Sequence, residues 1–190
     1  MKKRIIKIFA LVFCMTFVFS GCGSNADFSR GKWQKDVYTN EFFNLKYTKP
    51  EFGDNYNDEN LSIRAGFDVA SADLEENEYI PLVYVDAIYF FIDINVRKKG
   101  SETDIINSIM ETAAQQEAFS RTDSETFTKN IGKNKFTGAK AQFVYPSFEG
   151  EEPVVYNYYV FTRQVKDYSL VITANLTDGL DIDIILSDFS

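Results

Sequence analysis

Leu82-Val-Tyr-Val-Asp-Ala-Ile-Tyr-Phe-Phe-Ile-Asp-Ile-Asn-Val96 is the most hydrophobic run beyond the first two dozen or so residues of the chain. Read as one extended segment, it sends Ile88, Phe90, Ile92, Ile94 and Val96 to one side. Val85, Ala87, Tyr89 and Phe91 go to the other, joined by Asp93 and Asn95. A strand apolar on both faces is a central strand with layers packed above and below it. Asp86 and Asp93 are separated by an odd number of residues, so a straight strand places them on opposite faces and keeps them from acting as a catalytic pair.

Downstream of this strand, Gly100-Ser-Glu-Thr-Asp104 reads as a helix start. Ser101 caps, while Glu102 and Asp104 suit the positive end of the helix dipole. Ile105, Ile106, Ile109, Met110, Ala113 and Ala114 then form one stripe at helical spacing, and the helix is expected to end near Phe119 to Arg121. An antiparallel meander follows. Phe127 to Ile131 and Phe136 to Tyr145 flank a Gly132-Lys133-Asn134 turn, and Lys166-Asp167 joins Val154–Gln164 to Tyr168–Leu176. Leu170, Ile172, Ala174 and Leu176 share the inward face of the last strand. Tyr156, Tyr158 and Tyr159 either line a groove or reflect the preference of tyrosine for strands. Leu180 to Phe189 suits a strand by its Leu-Asp-Ile-Asp-Ile alternation and a helix by the spacing of Leu180, Ile184 and Phe189; Asp181 and Asp183 resemble metal ligands only superficially.

Upstream, Phe43, Leu45 and Tyr47 alternate with Phe42, Asn44 and Lys46 as a half-buried strand ended by Pro50. Trp33, the only tryptophan, is expected to be a packing anchor rather than a ligand platform. Residues 51–80 are polar and acidic, with Asp54, Asp58, Glu59, Asp73, Glu75, Glu76 and Glu78, and read as solvated loop because the ligand spacing of a calcium loop is missing. Asn57 or Asp58 is a cap for a short helix containing Leu61, Ile63 and Ala65. Helices set apart from an antiparallel sheet define the class as α+β: a central antiparallel sheet packed with a long amphipathic helix and short terminal helices.

The first residues set the address. Lys2, Lys3, Arg4 and Lys7 precede a nearly unbroken apolar run from Ile8 to Phe19. That run is about a dozen residues, within the ~7–15 of a signal-peptide core and short of the ~20 a spanning helix needs. Ser20-Gly21-Cys22-Gly23 then closes it, and this small-small-Cys pattern resembles the lipobox of bacterial lipoproteins, with Phe19 where that family usually carries an aliphatic residue. The resemblance implies a diacylglyceryl thioether on Cys22 and cleavage just before it. It divides the chain into a lipoprotein signal peptide at 1–21, a lipid-anchored tether at 22–30 and a single α+β domain at 31–190. Two acyl chains anchor stably, at ~0.8 kcal/mol per buried CH₂. Gly31-x-Trp33, Tyr38-Thr39-Asn40, Leu45-x-Tyr47 and Pro50 together are similar to the opening of many small Gram-positive lipoproteins with PsbP-like domains. In those domains a central antiparallel sheet is sandwiched between helices, and the family hosts accessory and binding roles without a shared chemistry.

Composition narrows function further. Loss of Lys2, Lys3, Arg4 and Lys7 takes the chain's net charge from −8 to about −12, so nucleic-acid binding through phosphates is disfavoured. Cys14 leaves with the signal peptide and Cys22 is the lipid site, so no disulfide is expected. The chain has no histidine, which removes the usual general base and zinc ligand. No catalytic, cofactor or metal residue is assigned. The expected protein is a membrane-anchored extracytoplasmic lipoprotein, a non-enzymatic accessory or binding module with a membrane or envelope protein as partner. The alternative is a small-molecule or peptide binder serving a transporter or sensor. A carboxylate-dependent cell-wall hydrolase stands behind both.

Overall fold

The run from Leu82 to Val96 is a hairpin, not one strand. In the computed structural model, which describes residues 28–116, 120–123, 126–145 and 152–190, it splits into β5 (Tyr79–Ala87) and β6 (Phe90–Lys98). Ala87 pairs with Phe90 around a two-residue loop, Ile88-Tyr89, whose side chains are 81% and 63% exposed. The polar residues explain the turn. Through β5 the polar phase is even (Asp86), whereas through β6 it is odd (Asp93, Asn95, Arg97), and the buried residues switch from Val83 and Val85 to Ile92, Ile94 and Val96. One straight strand cannot keep both sets on one face; a two-residue loop can. Asp86 and Asp93 therefore lie on the same face, which corrects the expectation that they oppose each other.

The remaining elements are β1 (Lys32–Gln34), β2 (Val37–Asn40), β3 (Leu45–Thr48), β4 (Asp54–Asn55), α1 (Asp58–Ala65), α2 (Glu102–Gln116), β7 (Ser120–Asp123), β8 (Phe127–Ile131), β9 (Asn134–Tyr145), β10 (Val154–Val165), β11 (Tyr168–Thr177) and α3 (Ile182–Leu186). The large sheet is antiparallel in the order β4-β5-β6-β11-β10-β9-β7, with β8 also on β9. The helix, expected to end near Phe119 to Arg121, is described only to Gln116, and residues 120–123 instead pair with β9. β8 covers that edge of β9 at 134–138 and β7 covers it at 141–144, so each satisfies backbone groups the other leaves open. The α+β class holds: a mostly antiparallel sheet with a few helices.

The two faces of the large sheet differ. On one, Val83, Val85, Ile92, Ile94, Val96, Phe161, Leu170 and Ile172 meet the small β1-β2-β3 sheet through Tyr38, Leu45 and Tyr47. Ile185 and Phe189 close that core, and Phe189 pairs with Tyr47 at 4.7 Å between rings. Each fully buried aliphatic side chain contributes roughly 1.5–3 kcal/mol. The ambiguous segment 180–189 thus forms α3, capped by Asp181, whose side chain accepts from the Asp183 backbone N–H at 2.9 Å. Phe28, Ser29 and Arg30, read as the end of the tether, are docked here: Phe28 lies 5.3–6.2 Å from the rings of Phe42, Phe43 and Tyr168, and Asn40 donates to the Ser29 carbonyl at 2.9 Å.

The other face carries the helices. Ile106, Ile109 and Met110 of α2 rest on Ala139, Ala141, Phe143, Val160 and Val171. The N-terminus of α2 is held by Ser101, which accepts from the Asp104 N–H at 3.4 Å, and by Glu102, which accepts from the Gln164 N–H at 3.2 Å and from the Thr137 hydroxyl. Helix α1 starts at the Asn57 cap and ends at Gly66, which takes a left-handed φ of 78°. Its Leu61 packs with Val69 and Tyr84 at the β5 end of the sheet. Between the patches of sheet packed on α1 and on α2 lies a strip of β6 and β11 that the helices cover only in part.

Candidate functional site

That strip is polar. On β6 the residues facing the helices are Phe91, Asp93, Asn95 and Arg97; on β11 they are Ser169, Val171, Thr173 and Asn175. Thr173 sits directly opposite Asp93, Tyr84 flanks Asp93 from β5, and Tyr79 flanks Arg97. Tyr158 of β10 completes the floor beside Asn175. The resulting cleft encloses about 220 Å³, with Ile109 and Ala113 of α2 as its apolar wall and Glu78 at its rim.

Asp93 sits at the centre of this arrangement. Burial pushes its carboxyl above the usual aspartate range, opposed by a hydrogen bond from Asn95 and by the positive charges of Arg64 and Arg97. Asn95 Nδ2 donates to Asp93 Oδ1 at 3.4 Å, a bond at the outer limit of useful length. The neighbouring phenols respond to the same environment. Burial first, and then the Asp93 charge, raise Tyr158 to about 12; burial raises Tyr84 to about 12 and raises Tyr79 as well. The two cations are held flat against aromatic rings, Arg64 3.9 Å above Tyr84 and Arg97 5.5 Å from the Tyr79 centroid. Arg97 Nη1 also bonds Glu78 Oε1 at 2.5 Å.

Two atoms of this floor lack what chemistry requires of them. Asn95 is 5% exposed, yet its Oδ1 has no donor, and the Nε of Arg97 has no acceptor, among the described residues. Asp93 orients the Asn95 amide with Nδ2 toward its carboxylate, which leaves Oδ1 unmatched. Buried polar atoms are almost always satisfied, so each exception calls for a cause. Of the seven such side-chain atoms among the described residues, five lie on this face: those of Asn95, Arg97, Thr162, Ser169 and Asn175.

Other concavities are less suited to a defined ligand. One of about 750 Å³ runs along Phe28, Leu74, Ile80 and Tyr168, but its ionic groups stand in solvent and Lys98 is already paired with Glu75 at 2.8 Å. Trp33 borders a cavity of about 290 Å³ and packs against Tyr38 and Tyr47, at 5.6 and 6.4 Å between rings.

The residues singled out from sequence go to different places. Cys22 lies outside the described residues. The tyrosine cluster is divided by the pleat: Tyr158 joins the cleft and Tyr159 enters the opposite core, so the three do not share a groove. The acidic segment is partly engaged in ion pairs, Asp58 with Arg30 at 2.9 Å and Glu78 with Arg97. Asp183 pairs with Lys129, and among the described residues no three acidic, histidine or cysteine side chains converge on a cation position. Arg97 and Thr173 were not singled out, although the Asp-x-Asn-x-Arg phase of β6 marks the face they share.

No family model matches the chain, and no curated protein matches it. The floor therefore has to be read from its own chemistry. Asp93 is the half-buried carboxyl of that floor, and the rim carboxylate of Glu78 is engaged by Arg97.

Proposed function

We propose that this protein is a lipid-anchored extracytoplasmic binding module, non-enzymatic, that holds a small polar molecule in the cleft between α2 and the sheet. The observation that carries the reading is the pair of buried, unmatched polar atoms on the cleft floor, Asn95 Oδ1 and Arg97 Nε. An acceptor and a donor left open in a half-covered strip cost the free protein stability, and a ligand that matches both removes that cost. A layout of helices, central antiparallel sheet and opposing layer supports the PsbP-like comparison, and the Ser20-Gly21-Cys22 pattern supports the anchor. The cleft then serves a membrane or envelope partner such as a transporter or sensor, at the membrane to which Cys22 is joined.

A thermal-shift screen of the full chain against small polar metabolites tests the binding reading. Compounds that stabilise the wild type and not Asn95→Leu are expected; a screen without any such compound refutes it. The anchor is tested separately by fractionating cells that make the wild type or Cys22→Ala. The wild type is expected with membranes and the variant in the soluble fraction. A soluble wild type refutes lipidation.

A further inference from the structure

The cleft carries charges of both signs within one strand. Asp93 and Arg97 lie on the same face of β6, four residues or about 13 Å of strand apart, with Asn95 between them. Arg64 and Glu78 add one more of each sign from the flanks. A phosphate or other bare anion meets Asp93 and Glu78, and a bare cation meets Arg64 and Arg97, so neither is matched by the floor as a whole. The two open atoms repeat this pattern: Asn95 Oδ1 needs a donor and Arg97 Nε needs an acceptor.

We propose that the ligand is a small α-amino acid bound as its zwitterion, its ammonium on Asp93 and Asn95 Oδ1 and its carboxylate on the Arg97 guanidinium. This deepens the binding reading above and rests on it. Size agrees: the cleft of about 220 Å³ has room for a molecule of amino-acid size. The apolar wall of Ile109 and Ala113 selects an aliphatic side chain. An exposed Glu78 leaves Arg97 free to exchange partners, because its carboxylate regains water when displaced.

Calorimetric titration of the full-length protein in detergent micelles tests this with L-valine, isobutylamine and isobutyrate, the last two each lacking one charge. Valine is expected to bind at least tenfold more tightly than either. Asn95→Leu and Arg97→Lys, each checked for fold by circular dichroism, are expected to weaken valine at least tenfold, so the two variants guard against loss of fold in one. Equal binding of the three probes, or undiminished valine binding by both folded variants, overturns the proposal. If neither valine nor another small neutral amino acid binds while a different compound from the general screen does, the zwitterion assignment is wrong and the binding site stands. If nothing binds at all, both fall.

Discussion

Replacing Asn95 with leucine separates a residue kept for packing from one kept for a ligand. In the free protein the amide is 5% exposed and its Oδ1 is unmatched, which costs about 1–3 kcal/mol. Its one described side-chain bond, Nδ2 to Asp93 at 3.4 Å, returns about 0.5–1 kcal/mol at that length. Leucine is close to asparagine in shape and meets Val171 and Pro81 as its cross-strand neighbours. The balance favours the variant by about 1 kcal/mol, or a Tm higher by roughly 2–4 °C for a chain of this size. Urea unfolding with an unchanged slope is the assay. Greater stability together with lost ligand binding is the signature of a site that trades stability for function. A loss of about 1 kcal/mol or more refutes the reasoning, since it shows the amide to be satisfied and structural.

Two further outcomes follow from the same structure. Asp93 is held above the ordinary aspartate range, so the fold favours its protonated form. The stability this supplies is complete below the ordinary aspartate pKa of ~3.9 and is lost as pH rises through the raised value. The groups facing it are Arg64 from α1, Arg97 and Asn95 from its own strand, Tyr79 and Tyr84 from β5, Tyr158 from β10 and Thr173 from β11. Asp93→Asn is expected to flatten the fall in Tm across that window and leave only the slope from other groups such as Asp188, which burial also raises; parallel curves for variant and wild type contradict this. Phe28→Ala removes a half-buried ring from the Phe42, Phe43 and Tyr168 cluster and is expected to cost roughly 1.5–2.5 kcal/mol, about half the penalty for a fully buried phenylalanine. Unchanged urea unfolding places Phe28 in the tether and not in the domain.

What could be read from sequence was whatever depended on local chemistry. The Ser101 start of α2, the Asn57 cap of α1 and the inward set Leu170, Ile172, Ala174 and Leu176 each follow from a cap or a period. The hairpin at Ile88-Tyr89 was missed because two large apolar residues replace the usual Asn-Gly or Asp-Gly turn. Its signal was the change of polar phase between Asp86 and Asp93, which is visible only when both strands are read together. Strand β7 was missed for another reason: residues 120–123 form a strand because β9 offers an open edge, a tertiary cause. The site shows the same limit. Asp93 and Asn95 stood out as polar residues in a central strand, but Thr173 and Tyr158 join them only through sheet order, and Glu78 read as one more charge of an acidic loop.

The most direct measurement is the arginine Nε–H spectrum of the ¹⁵N-labelled full-length protein during titration with valine. The resonance of Arg97 is expected to move to a new position as its open Nε–H gains an acceptor. That of Arg163, whose Nη1 donates to the Phe43 carbonyl at 3.1 Å far from the cleft, is expected to stay. An Arg97 signal that remains fixed with valine and with every small polar compound of the screen contradicts the claim that this cleft is a binding site.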